Sequence, residues 1–219
     1  MPLYKSTYHS KIYRDFREIG AGNYRKLIHF YEQREASIRA LDFEEYFELL
    51  MAYTDALFEV GFYQKYLLMV DVAIEHVIMH DIKDRSGEDL YLRLLFRKAA
   101  AHFRCLQYDK CDYVLRELLR IDPHYEDAAL FLRKCLRRKN PVLLRHAKAA
   151  AIFCFLLSAL VICIEVLFVR PFYDMHTDLV EMSRNSIFGL GCALLFGGLL
   201  LHRLQAEYET YRFVRRLRG

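Results

Sequence analysis

The sequence predicts an all-α protein: stacked helical hairpins followed by a two-helix transmembrane hairpin. Three observations carry the prediction. Only 9 Gly and 4 Pro occur in 219 residues, too few for a fold built on many tight turns. Apolar residues recur at i, i+3 and i+4 through most of residues 1–138, the period of a helix with one buried face. Two later runs, Ala147–Val169 and Ser186–Leu201, are almost free of charge. Those runs reconcile 54 % hydrophobic residues with 27 % charged ones, because the apolar residues are concentrated in one part of the chain.

The hairpins of residues 1–138 follow from three short stretches that echo one another. They are GNYRKL at Gly22–Leu27, GFYQKY at Gly61–Tyr66 and LQYDKC at Leu106–Cys111. Each holds a Tyr followed two residues later by Lys. Amphipathic segments flank them: Phe43–Glu59 and Tyr66–His80 around the second, Leu90–Leu106 and Lys110–Ile121 around the third. Each stretch therefore reads as the turn of a helical hairpin, with the Tyr wedged between two helices. Such a hairpin buries its apolar face only by stacking on a neighbour.

Leu95–Pro123 carries the fullest pattern. Leu95, Ala99, Phe103, Tyr108, Cys111, Leu115, Leu118 and Leu119 precede Ile121-Asp122-Pro123. This resembles the tetratricopeptide-repeat family, with Cys111 where that family places a small residue. Leu50–Ile78 resembles it more loosely, since Tyr66 is large at the equivalent place and no closing proline follows. The spacing between echoes is longer than the family's usual repeat. The resemblance implies stacked helices with a concave face that holds a peptide or a partner helix. An acidic helix supports a binding face. Asp42, Glu44, Glu45, Glu48, Asp55 and Glu59 fall where no Lys or Arg occurs between Arg39 and Lys65. That helix suits a basic partner, or this chain's own basic segment; a solvated face reads equally well.

The basic segment comes next. No acidic residue lies between Asp127 and Glu165, whereas Arg133, Lys134, Arg137, Arg138, Lys139, Arg145 and Lys148 do. A basic block beside an apolar run reads as membrane-proximal, against an anionic inner leaflet. No recognition motif accompanies the charge, so nucleic acid is not an expected partner. The division expected is a cytosolic domain at 1–138 and a basic linker at 139–148. A hairpin follows at 147–204, with spans about 147–169 and 185–204, then a basic amphipathic tail at 205–219. About 20 apolar residues cross the hydrocarbon core, so the first run suffices, and the second does if its flanks sit at the interface. The flanking arginines predict both termini in the cytosol, in a bacterial inner membrane or a eukaryotic internal membrane. The N-terminus has no signal-peptide core. The tail suits either the lipid surface or packing on the cytosolic domain.

Within the hairpin, Gly189, Ala193 and Gly197 recur every four residues, a small-residue stripe that lets helices approach closely. It is expected to pack the hairpin itself, against Ala151, Cys154 and Ser158; packing against a second copy in a homo-oligomer is the alternative. Glu165 is the one acidic residue of the spans. An interfacial carboxylate beside Arg170 is the expected reading, an ion or proton site the rival.

Catalytic and cofactor chemistry finds no foothold. The sequence has no P-loop, no GxGxxG and no nucleophile elbow. The six cysteines make no CxxC, which suits free thiols in a reducing compartment. His76 and His80, four apart, could share a metal ion but have no third ligand placed by spacing, so no metal is expected. Asp109 and Asp112 beside Cys111 would raise its thiol pKa, the wrong direction for a nucleophile. The expectation is no enzyme and no cofactor, but a membrane-anchored adaptor or assembly factor that binds a protein on the cytosolic side. The alternative is a subunit of an oligomeric channel or transporter.

Overall fold

A computed structural model describes residues 10–20, 22–80, 82, 89–139, 142–169 and 177–218. Every regular element among them is helical. The chain divides into two compact units, Met1–Asp122 and Pro123–Gly219.

The first unit begins with α1 (Lys11–Arg17), capped by the Ser10 hydroxyl, which accepts from the Tyr13 N–H at 3.1 Å. Then come α2 (Tyr24–Gln33) and the short α3 (Glu35–Ile38). The long helices follow: α4 (Phe43–Val60), α5 (Tyr63–Met79), α6 (Leu90–Arg104) and α7 (Tyr108–Ile121). Asp89 caps α6 by accepting from the Tyr91 N–H at 3.0 Å. The core runs through Tyr13, Ile28, Tyr31, Leu50, Leu57, Tyr66 and Leu94.

Two of the three sequence echoes close hairpins, α4–α5 and α6–α7, and both use one device. In the first, the Phe62 N–H donates to the Leu57 carbonyl at 2.9 Å and the Gly61 N–H to Phe58 at 3.1 Å. In the second, Gln107 donates to His102 at 2.9 Å and Leu106 to Phe103 at 3.1 Å. This is a Schellman cap, whose penultimate residue takes a left-handed backbone. Gly61 has φ +89° and Leu106 φ +61°. The wedge tyrosines stand edge-on to the same preceding Phe, Tyr63 on Phe58 at 5.6 Å and Tyr108 on Phe103 at 5.4 Å.

The hairpins stack through α6. Arg97 of α6 pairs with Asp55 of α4 and lies over the Phe58 ring at 5.5 Å, and Lys98 reaches Asp71 of α5 at 2.6 Å. The first echo departs from expectation. Gly22 (φ +99°) leads into α2, but α1 and α2 pack chiefly on α4 rather than on each other. Tyr31 stacks on Tyr53 of α4 at 4.1 Å, which is where the apolar faces of these short helices find cover.

The second unit holds α8 (Glu126–Lys139) and α9 (Val142–Ile164). One π-helical turn at Glu165–Val169 and the 42-residue α10 (Thr177–Arg218) complete it. Two expected boundaries fall elsewhere in the structure. α8 belongs to this unit, so the first unit ends at Asp122, not at 138. Residues 142–148 are the first turns of α9 rather than a linker, because nothing from Val142 to Lys148 breaks the helix. The tail expected at 205–219 reads as a continuation of the second span's helix, and residues 205–218 are the last turns of α10. The segment 170–176 lies outside the described residues.

α9 and α10 are each long and apolar enough to cross a membrane, and little of either apolar stretch is buried by this chain. At 1.5 Å per residue α10 is about 63 Å long, roughly twice a hydrocarbon core. Its C-terminal turns pack on α8, where Ala206 and Thr210 are buried, as are Leu132, Cys135 and Leu136 of α8.

Candidate functional site

Four groups of residues carried the functional expectations. The first is the acidic set of α4, much of which is engaged inside the first unit. Glu45 accepts from the Ser10 N–H at 3.0 Å, and Glu48 accepts from the Tyr13 hydroxyl at 2.6 Å with Arg17 at 3.4 Å. Asp55 pairs with Arg97; burial pushes its carboxyl up, against the pull of Arg97 and Arg93. Asp42, Glu44 and Glu59 are exposed. Five of the six acids lie on α4 with Asp42 at its N-cap, but the bundle engages Glu45, Glu48 and Asp55.

The second group is the basic segment. Arg133, Lys134, Arg137, Arg138 and Lys139 lie on α8, and Arg145 and Lys148 on α9. Arg137 pairs with Glu207 of α10 at 2.8 Å, and its carbonyl accepts from His202 Nε2 at 3.0 Å. Arg133 has a buried Nε and lines a groove of about 370 Å³ with Glu126, Tyr211, Arg215 and Arg218. The rest of the set, apart from the half-buried Lys139, is exposed.

The third group is the glycine stripe, and here the expected seam is corrected. An added Cβ at Gly189 or Gly197 meets nothing within 4 Å, and Ala193 is exposed. The helices approach instead at Gly191 and Gly198. A Cβ on Gly191 would lie 2.8 Å from the Phe155 ring and 3.2 Å from the Cys154 Cβ. One on Gly198 would collide with the Ala147 Cβ. At 100° per residue, Gly191 stands on the far side of the helix from Gly189. On α9 the facing residues are the expected ones, with Ala151, Cys154 and Ser158 buried.

The fourth group centres on Glu165. Its side chain is fully buried in the π-helical turn, and Arg184 Nη1 donates to its Oε2 at 2.9 Å. Sequence reasoning paired Glu165 with Arg170, which lies outside the described residues, and left Arg184 in the connecting loop. α10 begins earlier than expected, so Arg184 sits one helix across from Glu165. Charge complementarity between antiparallel helices was the available signal. A buried carboxylate stripped of its partner is costly, so the pair ties the π-helical turn to α10.

The remaining candidates are packing residues. Cys111 is fully buried, and its neighbour Asp112 pairs with Arg116 at 2.6 Å. His80 lies against Phe43 at 3.8 Å, and His76 meets Phe43 and Tyr46 at 5.7 and 5.4 Å. Among the described residues no three His, Cys, Asp or Glu converge as metal ligands.

No family model, no curated protein and no solved structure matches this chain.

Proposed function

We propose that this chain is a membrane-anchored adaptor or assembly factor. In this reading α9 and α10 cross the membrane as a hairpin with both termini cytosolic, and the first unit is a tetratricopeptide-like scaffold that binds a protein there. The observation that carries the reading is the repeated closing device. Two hairpins 45 residues apart share a Schellman cap and a Phe–Tyr edge contact (Phe58 with Tyr63, Phe103 with Tyr108). A unit stacked from like hairpins presents an extended surface, and such surfaces serve binding. A basic partner is favoured, because Asp42, Glu44 and Glu59 remain exposed.

The test is affinity capture with the detergent-solubilised full chain against a shortened chain beginning at Pro123. That cut keeps α8, which packs on α10. The full chain should recover cytosolic partners that the shortened one loses; equal recovery would sink the adaptor. The alternative channel or transporter reading places an exposed charge in a pore. The closed Glu165–Arg184 pair supports the adaptor instead. Glu165→Gln should therefore leave ion flux across proteoliposomes unchanged, and a changed flux would favour the channel.

A further inference from the structure

One face of α10 is left largely exposed among the described residues, with Leu194 and Gly197 half-buried. Leu190, Leu194, Gly197, Leu201, Leu204, Tyr208 and Tyr211 follow one another at alternating spacings of four and three residues. That is the alternation of a coiled-coil seam held for three heptads. Leu190, Leu201, Leu204, Tyr208 and Tyr211 are 50–66 % exposed. The seam stands roughly 100° round the axis from Gly191 and Gly198, so it is free while α9 is in place.

Its outer half cannot be assigned to lipid contact alone. Ala147 lies level with Gly198, and α9 begins at Val142, so α10 beyond about residue 203 has no α9 beside it. There it packs on α8, and Leu204, Tyr208 and Tyr211 form an apolar surface on the part of α10 that outruns a membrane crossing.

We propose that this face is the interface of a parallel two-fold dimer of this chain, α10 against α10. Two copies inserted by the same signals run in the same direction, so their helices meet in parallel and in register. In a parallel seam the residue before each a position faces, across the interface, the residue five places further on in the partner. With Tyr208 at a, those residues are Glu207 and Arg212. They are opposite in charge and both exposed, and the two-fold makes the pair twice. Among the described residues Arg137 takes Oε1 of Glu207 and leaves Oε2 available. The face is thus complementary to itself, and that singles out a second copy over a foreign helix. The small residues Ala193 and Gly197 lie along the same face. The dimer stands or falls separately from the adaptor function.

The test is energy transfer between donor- and acceptor-labelled full-length chains in phosphatidylcholine–phosphatidylglycerol vesicles, diluted stepwise with lipid. Transfer should persist on dilution, and Tyr208→Glu should move its midpoint about tenfold or more toward higher protein density. Glu207→Arg and Arg212→Glu should each move it about threefold or more, and the double swap should return it to within about twofold of wild type. Recovery cannot come through Arg137, which faces an arginine in the swapped chain. Circular dichroism controls for helix content. Transfer that is absent at every density, unaffected by these changes, or weaker still in the double swap overturns the proposal.

Discussion

The hairpins α4–α5 and α6–α7 have the same closing geometry and different residues at nearly every closing position. Leu57 stands against His102, Gly61 against Leu106, Phe62 against Gln107 and Tyr66 against Cys111. The cap hydrogen bonds agree within 0.1 Å, from 2.9 Å for the outer bond to 3.1 Å for the inner one. Only the Phe–Tyr pair and the Lys two residues after the Tyr are common to both. The turn is therefore set by backbone hydrogen bonds and one aromatic contact. The other residues decide what the turn costs and what it packs against.

The largest break should come at the fully buried pair Tyr66 and Cys111. Cys111→Arg places an unpaired charge where helices meet and should cost about 4 kcal/mol or more, unfolding α6–α7 in a urea titration. Next is the left-handed position. Gly61→Val should cost about 1–2 kcal/mol through the backbone, since an added Cβ meets only the Tyr63 ring at an ordinary 3.8 Å. The same position in the other hairpin gives the opposite sign. Leu106 carries a side chain at φ +61° and is exposed, so Leu106→Gly should stabilise by about 0.5–1 kcal/mol, read as a higher urea midpoint.

His102 sharpens the comparison through pH. Burial holds its imidazole below the ordinary 6.5, opposed by the hydrogen bond to Gln107. The unfolded chain then takes up a proton at a higher pH than the folded one. Stability from this residue is full above about pH 6.5 and falls as pH drops through that value toward the lowered one. Denaturation midpoints between pH 7.5 and 5.5 should fall, and His102→Leu, which copies Leu57, should flatten the slope. The smallest effect expected is Cys111→Ala, under about 1 kcal/mol in the same titration. A large loss there would return attention to the thiol itself.

Much of this was legible beforehand. Helical period, the two turn stretches and the small α9 face all follow from spacing, because side chains three and four residues apart share a helix face, whereas Cys111 as a small residue came from the family resemblance. The misplaced features share one cause. Spacing says which residues stand together on one helix, not which face a neighbour takes. α10 carries glycines on two faces, and the regular stripe Gly189–Ala193–Gly197 looked like the seam while Gly191 and Gly198 made it. The acids of α4 looked like a free face until α1 and α6 used Glu45, Glu48 and Asp55.

By itself, the sequence determined the helical class, two apolar stretches of membrane-crossing length and two of the hairpin turns. These are local properties of propensity, period and run length. Tertiary structure alone decided that α8 sides with the second unit. It also decided that Glu165 answers to Arg184. Each of those depends on which surfaces meet across long stretches of chain. Close packing and the cost of a buried charge settle such meetings, and neither can be read along a single helix.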